Sequence, residues 1–162
     1  MTEALGEKLP YDCIVLDLDG TLVYSSKKSK GPSQKIKYRD VHGDIVKFWV
    51  HKRPGFDEFL QQCFEKSKVG VWSMGQPEYV KAIVSLFPQT PIFVYSWWEC
   101  DRAGGKIFKR LNNIPHVGNI IMIDDKTDIL ETCNRINTHI VSEWNPHQNH
   151  DTELYDLLHI LF

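Results

Sequence analysis

The chain has 162 residues, and 42% of them are hydrophobic. This length predicts a single domain, residues 1–162, that can bury a complete core. Its 19 basic and 21 acidic residues give a formal net charge of −2, so the overall charge favours neither nucleic acid nor a membrane surface as a partner. No apolar stretch is long enough to cross a bilayer, and the acidic start of the chain is unlike a signal peptide. The cysteines lack C-x-x-C spacing, which predicts reduced, mostly buried thiols in a cytosolic or nuclear protein. They are Cys13, Cys63, Cys100 and Cys133.

The first predicted strand, Cys13–Leu18, runs into the motif Asp17-Leu18-Asp19-Gly20-Thr21. Two carboxylates two residues apart point to the same side of an extended strand, and Gly20 allows a sharp turn after them. One carboxylate can attack phosphorus while the other transfers a proton, and both can share a divalent cation. Surface turns and calcium loops also contain such motifs. The buried strand favours an active site, because ligands of open α/β sheets bind beyond the carboxyl ends of the strands.

A polar and basic segment, residues 25–32, follows the motif and interrupts the pattern of buried strands and helices. After it, Ile36–Asp40 and Ile45–His51 are predicted to be two strands joined by a turn at His42-Gly43-Asp44. We therefore expect a β-hairpin, approximately residues 24–51, inserted between the first strand and the first helix and standing above the carboxylates. This hairpin either shapes what reaches them or is a structural flap without substrate contact.

The rest of the chain alternates short apolar strands with amphipathic helices, which predicts an α/β fold with a covered parallel sheet. The predicted strands are Val69–Ser73, Pro91–Tyr95, Ile120–Ile123 and His139–Val141. The predicted helices are Phe56–Phe64, Tyr79–Phe87, Ile129–Ile136 and Leu154–Leu161, the last with Asp151 as its N-cap.

Three further positions suit phosphate chemistry. Ser73 ends a predicted strand before a turn at Met74-Gly75, where a hydroxyl and free N–H groups can hold phosphate oxygens. Lys106 follows two glycines and can balance phosphoryl charge. Asp124-Asp125 closes another apolar run, and two facing acidic strand ends would suit Mg²⁺. Each signal is weak alone, because serines end many strands, most lysines are solvated and many acids lie in surface turns.

The joint pattern resembles the haloacid dehalogenase superfamily of phosphohydrolases and, more narrowly, the FCP/SCP class of phosphatases that act on the C-terminal domain of RNA polymerase II. The segments that carry this resemblance are Asp17–Val23, Lys52–Leu60, Trp72–Met74, Lys106, Ile123–Asp125 and Asp151–Leu158. The resemblance runs from about residue 11 to the C-terminus. It implies a Rossmann-like central parallel sheet flanked by helices, with the hairpin inserted after the first strand and no large cap domain. Gly20 stands where this class usually has glutamate, and Asp125 where its small members often have asparagine.

The resemblance implies catalysis through an aspartyl-phosphate. Asp17 would be the nucleophile, and Asp19 would protonate the leaving group and then activate water. Mg²⁺ would be held by Asp17, the backbone carbonyl of Asp19 and an acid of the Asp124-Asp125 pair.

The resemblance also implies how the phosphate is bound. Ser73, with Met74 beside it, and Lys106 would hold the non-bridging oxygens, and Thr21 would support the loop or donate to phosphate. Lys109 is the alternative to Lys106, because the spacing from Lys106 to Asp124 is longer than expected for the family.

A phosphoserine or phosphothreonine protein phosphatase is the favoured function, with a phosphoprotein such as the polymerase C-terminal domain as substrate and a monomer or weak dimer as the assembly. The basic segment around Lys27-Lys28, with Lys35 and Lys37, either attracts an acidic or multiply phosphorylated peptide or is only solvated. Tyr95, Trp97 and Trp98 either line a peptide groove or pack in the core.

Two alternatives remain for the function. One is a nucleic-acid 3′-phosphatase or small-molecule phosphatase, which the near-neutral charge disfavours in its nucleic-acid form. The other is a non-catalytic domain that binds phosphoproteins, which the presence of both Asp17 and Asp19 disfavours. Residues 147–151 contain two histidines but no pairing typical of a metal site, so we interpret them as a polar loop.

Overall fold

The computed structural model describes residues 11–162. Its strands are β1 (Cys13–Leu16), β2 (Val23–Ser26), β3 (Gln34–Arg39), β4 (Ile45–Lys52), β5 (Lys68–Trp72), β6 (Phe93–Tyr95), β7 (Asp101–Ala103), β8 (Lys106–Arg110), β9 (Ile120–Asp124), β10 (Leu130–Glu131) and β11 (Ile136–Ile140). Its α-helices are α1 (Phe56–Lys66), α2 (Pro77–Val84) and α3 (Glu153–Leu161).

A five-stranded parallel sheet forms the centre of the fold, in the order β11-β9-β1-β5-β6. Strand β1 is fully buried between β5 and β9, which explains its uninterrupted apolar sequence. Because all five strands are parallel, their carboxyl ends lie at one edge of the sheet. The expected α/β architecture is therefore present, and this edge is where a site is expected.

The two faces of the central sheet are covered differently. Ile14 and Leu16 belong to a large core cluster that contains the buried faces of α1, α2 and α3. Cys13 and Val15 point to the opposite face, into a smaller cluster that includes Leu111. None of the residues in this cluster belongs to α1, α2 or α3. The segment from β7 to β10 covers this second face and contains a three-stranded sheet in the order β10-β8-β7.

The helix predicted over Ile129–Ile136 is wrong. Leu130 and Glu131 pair instead with Lys109 and Arg110 of β8. Residues 127–137 are rich in threonine, asparagine and aspartate, which have low helix propensity. The apolar residues that suggested a helix therefore belong to an extended segment.

The predicted hairpin is present as β3 and β4, which join β2 in an antiparallel sheet of order β2-β4-β3. We call it the inserted sheet, because it lies in the chain between β1 and α1. Phe48 and Val50 on its inner side belong to the large core cluster. Phe48 and Tyr38 also contact the ring of Tyr79 on α2, with ring centroids 5.2 and 6.2 Å away. The inserted sheet is thus held against the start of α2.

Arg53 ties the chain after β4 to the start of α3. Its guanidinium is fully buried, donates to both carboxylate oxygens of Asp151 at 2.8 and 3.1 Å, and reaches Glu153 at 3.1 Å. Thr152, not Asp151, occupies the N-cap position of α3. Asp151 accepts instead from Arg53 and from the Glu153 N–H, which corrects the predicted cap.

The remaining boundaries differ from the predictions by a few residues. Strand β11 begins at Ile136, three residues before the expected start, and α2 begins at Pro77, as suits a proline in a first turn. All four cysteines are free thiols; Cys13 and Cys63 are buried, whereas Cys100 and Cys133 are half-buried. Within residues 11–162, no helix is long and apolar enough to span a membrane.

Candidate active site

Three carboxylates meet at the carboxyl edge of the central sheet. Asp17 follows β1, Asp124 ends β9, and Asp125 comes next. Because β1 and β9 are adjacent parallel strands, their ends bring these side chains together. A carboxylate oxygen from each of Asp17, Asp124 and Asp125 lies within 4.8 Å of the other two. Asp17 and Asp124 are buried, and Asp125 is half-buried.

Lys109 neutralises part of this negative charge. Its Nζ lies 3.1 Å from Asp17 Oδ1 and 2.6 Å from Asp124 Oδ2, and its side chain is fully buried. Burial lowers the pKa of Lys109, but the charges of Asp17 and Asp124 outweigh it, and the net pKa is raised. Lys109 therefore carries its positive charge beside Asp17 near neutral pH.

Lys106, which the resemblance assigned to the phosphate, does not reach this cluster. It is exposed at the start of β8, where it pairs with Ala103. Residues 106 and 109 are an odd number of positions apart on one strand, so their side chains point to opposite faces. The lysine of the site is Lys109, the alternative considered from the spacing.

Thr21 orients the carboxylate of Asp17. Its hydroxyl donates to Asp17 Oδ2 at 2.8 Å and lies 3.5 Å from Asp125 Oδ1. Because Lys109 binds Oδ1, both oxygens of Asp17 have a hydrogen-bond donor, and its orientation is fixed. The loop itself is held by Arg53, which donates to the carbonyls of Gly20 and Thr21.

Gly20 allows Asp125 to approach the loop closely. Its φ of +82° lies in the left-handed region, and a Cβ there would lie 2.2 Å from Asp125 Oδ2. The glycine that departs from the family pattern therefore makes room for the aspartate that also departs from it.

Asp19 lies at the mouth of the site, on the side facing the inserted sheet. The Tyr79 hydroxyl donates to Asp19 Oδ1 at 2.5 Å, and Ser25 Oγ lies 2.6 Å from the same hydroxyl. Although part of Asp19 is exposed, packing around its carboxylate raises the pKa to about 6, while the bond from Tyr79 lowers it. Burial also raises the pKa of Tyr79, so Tyr79 remains a donor. Sequence reasoning missed Tyr79, because it follows the apolar spacing of a core helix residue.

Ser73 and Met74 line the cleft next to the carboxylates. Together with Asp17, Asp19, Gly75, Asp124, Asp125, Lys126 and Ile129 they enclose about 210 Å³. Ser73 is buried at the end of β5, and its Oγ accepts from the Gly75 N–H at 3.0 Å. Its own O–H is therefore available to donate to a ligand oxygen in the cleft.

The donor set fits a divalent cation. Burial, a hydrogen bond that protonated Asp125 donates to Asp17, and the charge of Asp17 raise the pKa of Asp125 to about 8, and burial and the charge of Asp17 also raise the pKa of Asp124. Asp125 Oδ2 is buried without a hydrogen-bond partner, and Lys126 Nζ lies 3.8 Å from it. The buried Lys109 thus contacts two of the three clustered carboxylates, Asp17 and Asp124, and oxygen ligands of this kind suit Mg²⁺. The Asp19 carboxylate is outside this group; its predicted metal contact was through the backbone carbonyl.

A wider groove of about 440 Å³ begins beside Asp19 and continues along the edge of the inserted sheet. Its polar lining includes Tyr24, Lys30, Lys126 and His147. The aromatic residues at the end of β6 and just after it line neither cavity. Tyr95 packs on Trp72 with ring centroids 5.3 Å apart, and Trp98 stacks on Trp97 and is 67% exposed. This geometry does not support a peptide groove lined by Tyr95, Trp97 and Trp98.

The model of the family described as NLI interacting factor-like phosphatase matches residues 12–162. The chain belongs to this family, the FCP/SCP group of the haloacid dehalogenase superfamily. The resemblance inferred from the sequence is therefore confirmed.

Two similar proteins are named as phosphatases. The chain is 28% identical over 160 residues to the human carboxy-terminal domain RNA polymerase II polypeptide A small phosphatase 1, covering 98% of this chain and 61% of that protein. It is 25% identical over 151 residues to phosphatase PSR1 of Saccharomyces cerevisiae, covering 92% of this chain and 35% of that one. The chain thus spans less than two thirds of the length of these relatives.

A solved structure has the same fold. It is that of the fission yeast RNA polymerase II CTD phosphatase Fcp1-R271A bound to beryllium fluoride, with a TM-score of 0.59 and 16% identity. The match covers 93% of this chain and 51% of that one. The haloacid dehalogenase fold expected from the sequence is confirmed.

Proposed function

We propose that this protein is a Mg²⁺-dependent protein phosphatase that hydrolyses phosphoserine or phosphothreonine through an aspartyl-phosphate on Asp17. The observation that carries the proposal is the buried contact of Lys109 with both Asp17 and Asp124, beside the third carboxylate, Asp125. This arrangement supports Asp17 as the nucleophile, Lys109 as a fixed positive charge and the three carboxylates as ligands for a metal beside one small cleft.

In the first step, an oxygen of Asp17 attacks phosphorus, and the bond between phosphorus and the serine or threonine oxygen breaks. Asp19 donates its proton to that departing oxygen. A pKa of about 6 leaves a usable protonated fraction of Asp19 near neutral pH, which suits a general acid. The position of Asp19 at the mouth, held by Tyr79, suits a group that meets the leaving side.

In the second step, the Asp19 carboxylate removes a proton from water, which attacks phosphorus and releases phosphate from Asp17. Lys109 and the Ser73 hydroxyl stabilise the charge on the phosphoryl oxygens, with Met74 lining the cleft and Thr21 holding Asp17. Asp17, Asp124, Asp125 and the Asp19 carbonyl would hold Mg²⁺, which offsets the repulsion between the nucleophile and the phosphate dianion.

A protein substrate is favoured because the catalytic cleft opens into a groove and no large cap covers it among the described residues. The names of the relatives point in the same direction, since the human relative is a small phosphatase of the polymerase C-terminal domain. We extend a phosphoprotein substrate to this chain as part of the proposal.

The test is turnover of an aryl phosphate by the purified chain with Mg²⁺ and with a chelator. We expect turnover only with Mg²⁺, and none in Asp17→Asn, which keeps the shape of the side chain but removes the nucleophilic charge. Unfolding curves of the variant check that it folds. Appreciable activity in folded Asp17→Asn would contradict the assignment of the nucleophile.

A further inference from the structure

The outer face of the inserted sheet is strongly basic. Residues 23–52 contain eight lysines and arginines and two aspartates, whereas the whole chain has a net charge of −2. Strand alternation places Lys35, Lys37 and Arg39 of β3 on the side opposite Ile36 and Tyr38, which pack on the core. Register places Lys47 and Trp49 of β4 beside them. We call these residues, Lys35, Lys37, Arg39, Lys47 and Trp49, the basic face.

Within residues 11–162, the charges of the basic face have no acidic partners. Lys37 and Lys47 are direct cross-strand neighbours, an arrangement of like charges that destabilises a sheet. Among the described residues, no carboxylate lies within ion-pair distance of Lys35, Lys37, Arg39 or Lys47. Arg39 donates to the Gly43 carbonyl. A bound anion would relieve this repulsion.

The basic face is continuous with the groove that leaves the catalytic cleft. Tyr24 and Lys30 line that groove together with Asp19. Tyr24 pairs with His51 of β4, and the Lys30 N–H donates to His51 Nε2 at 2.8 Å. His51 is buried and its Nδ1 lies 3.0 Å from the Tyr24 carbonyl, so it fixes Lys30 between the groove and the basic face. A chain leaving the catalytic cleft therefore has a basic path along the inserted sheet.

We propose that the basic face binds a second, acidic or phosphorylated part of the same peptide whose phosphoresidue enters the catalytic cleft. This inference rests on the proposed function and names its substrate class as acidic or multiply phosphorylated peptides. Lys35, Lys37 and Arg39 are spaced two residues apart along β3, about 7 Å per step. Alternate side chains of an extended peptide have the same spacing.

A peptide suits this face better than a single-stranded nucleic acid. Nucleic-acid surfaces that bind single strands combine positive charge with open aromatic rings on which bases stack. The rings of Tyr24 and Trp49 are both half-buried here. Lys35 lies over the Trp49 ring, 5.9 Å from its centroid, and the edge of Tyr24 contacts His51. The basic face therefore offers charges rather than rings.

The test compares an acidic phosphoserine peptide with a neutral one. The two peptides differ only in a flanking block of six residues, in which every second residue is glutamate in the acidic peptide and glutamine in the neutral one. Both peptides are made in two forms, one with the block before the phosphoserine and one with the block after it. We expect the acidic peptide to have about three- to tenfold higher kcat/KM through a lower KM, since each exposed pair contributes little. The preference should fall between low and high salt, because exposed charges are screened.

The variant Lys37→Gln/Lys47→Gln should lose this preference, retain turnover of an aryl phosphate and unfold at no lower temperature than the unmodified chain. The matched control is Lys68→Gln/Lys81→Gln, which removes two exposed lysines elsewhere and should keep the preference. Equal preference in both variants would overturn the inference. So would a higher kcat/KM for a 3′-phosphorylated oligonucleotide than for the acidic peptide.

The two proposals can fail separately. If no phosphomonoester is turned over with Mg²⁺, the proposed function fails, and fluorescence anisotropy with the labelled acidic peptide then tests the basic face alone. Binding that is lost in Lys37→Gln/Lys47→Gln but kept in Lys68→Gln/Lys81→Gln supports the surface. Equal binding by both variants overturns it. If aryl phosphate is turned over without any preference for acidic peptide, only the further inference fails.

Discussion

The ammonium of Lys109 lies 2.6 Å from the carboxylate of Asp124, and both side chains are fully buried. Removing one partner from such a pair leaves a buried charge without compensation. We expect Lys109→Met to lower the free energy of unfolding by about 3–5 kcal/mol in the metal-free protein. Aryl phosphate turnover should fall at least about 100-fold, because a fixed charge at the reacting phosphate is lost.

Lys106→Met is the matched control, since it removes the same charge from an exposed position on the same strand. We expect its stability and activity to stay close to those of the unmodified chain. Urea unfolding and aryl phosphate assays measure both variants. Equal losses in the two would contradict the placement of Lys109 at the phosphate.

A side chain at position 20 should disturb Asp125. In Gly20→Ala the new methyl group would meet Asp125 Oδ2 at 2.2 Å, in addition to the cost of a positive φ. Gly43→Ala is a control for that cost, because Gly43 has a similar φ of +84° and no atom within 4 Å of the new Cβ. We expect both to lose about 1 kcal/mol or more of stability. Only Gly20→Ala should also need more Mg²⁺ for half-maximal activity, measured by titration.

The buried Arg53 should contribute far more to stability than its half-buried neighbour Lys52. Arg53→Met leaves Asp151 unpaired and two loop carbonyls without their donor, and we expect a loss of about 3–5 kcal/mol. Lys52→Met removes a solvent-accessible pair with Asp57 and a contact of the ammonium with the Phe56 ring, and should cost less than about 1 kcal/mol. Chemical denaturation gives the free energy of unfolding of both variants. Similar losses in the two would refute the stabilising role of the buried Arg53.

Tyr79→Phe should move the pH dependence of the first catalytic step. The Tyr79 hydroxyl donates to the ionised Asp19 and lowers its pKa, so removing the hydroxyl raises that pKa above about 6. Asp19 then stays protonated to higher pH, and the alkaline limb of kcat/KM should shift upward by about half to one pH unit. Tyr38→Phe is the control, because it keeps the Tyr79 hydroxyl that donates to Asp19. It should leave the pH dependence of kcat/KM unchanged.

Without metal, stability should fall as pH rises. The raised pKa values of Asp19, Asp124 and Asp125 mean that the folded protein binds more protons than the unfolded chain between about pH 4 and pH 8. The stabilisation is complete at the acidic end and is lost as these groups ionise in the folded state. Melting temperatures in a chelator should therefore decrease across this range, and saturating Mg²⁺ should reduce the decrease. A melting temperature that rises throughout this pH range in the chelator would contradict the raised pKa values of these carboxyl groups.

The sequence predicted the meeting of Asp17 with Asp124 and Asp125 because both groups end apolar runs, and adjacent parallel strands end at one edge. The hairpin was predictable from alternating residues around a glycine turn. These features depend on local pattern and on a general property of parallel sheets, so no knowledge of packing was needed.

Other features depended on contacts between distant segments. Strand β8 was not predicted, so nothing fixed which of Lys106 and Lys109 points inward. The short apolar repeat from Ile129 fits a helix equally well, and pairing of Leu130 with β8 decides against it. Tyr79 reaches Asp19 only because α2 packs against the inserted sheet.

Lys109 and Asp17 belong to separate sheets: Lys109 lies on β8 of the small β10-β8-β7 sheet, whereas Asp17 follows the central strand β1. Insertions or deletions near the β7–β8 turn can therefore be absorbed at the periphery without altering the central strands. The spacing along the chain between Asp17 and the buried lysine of this site is correspondingly a poor guide for aligning distant homologues, and the face of β8 on which a lysine lies is a better one.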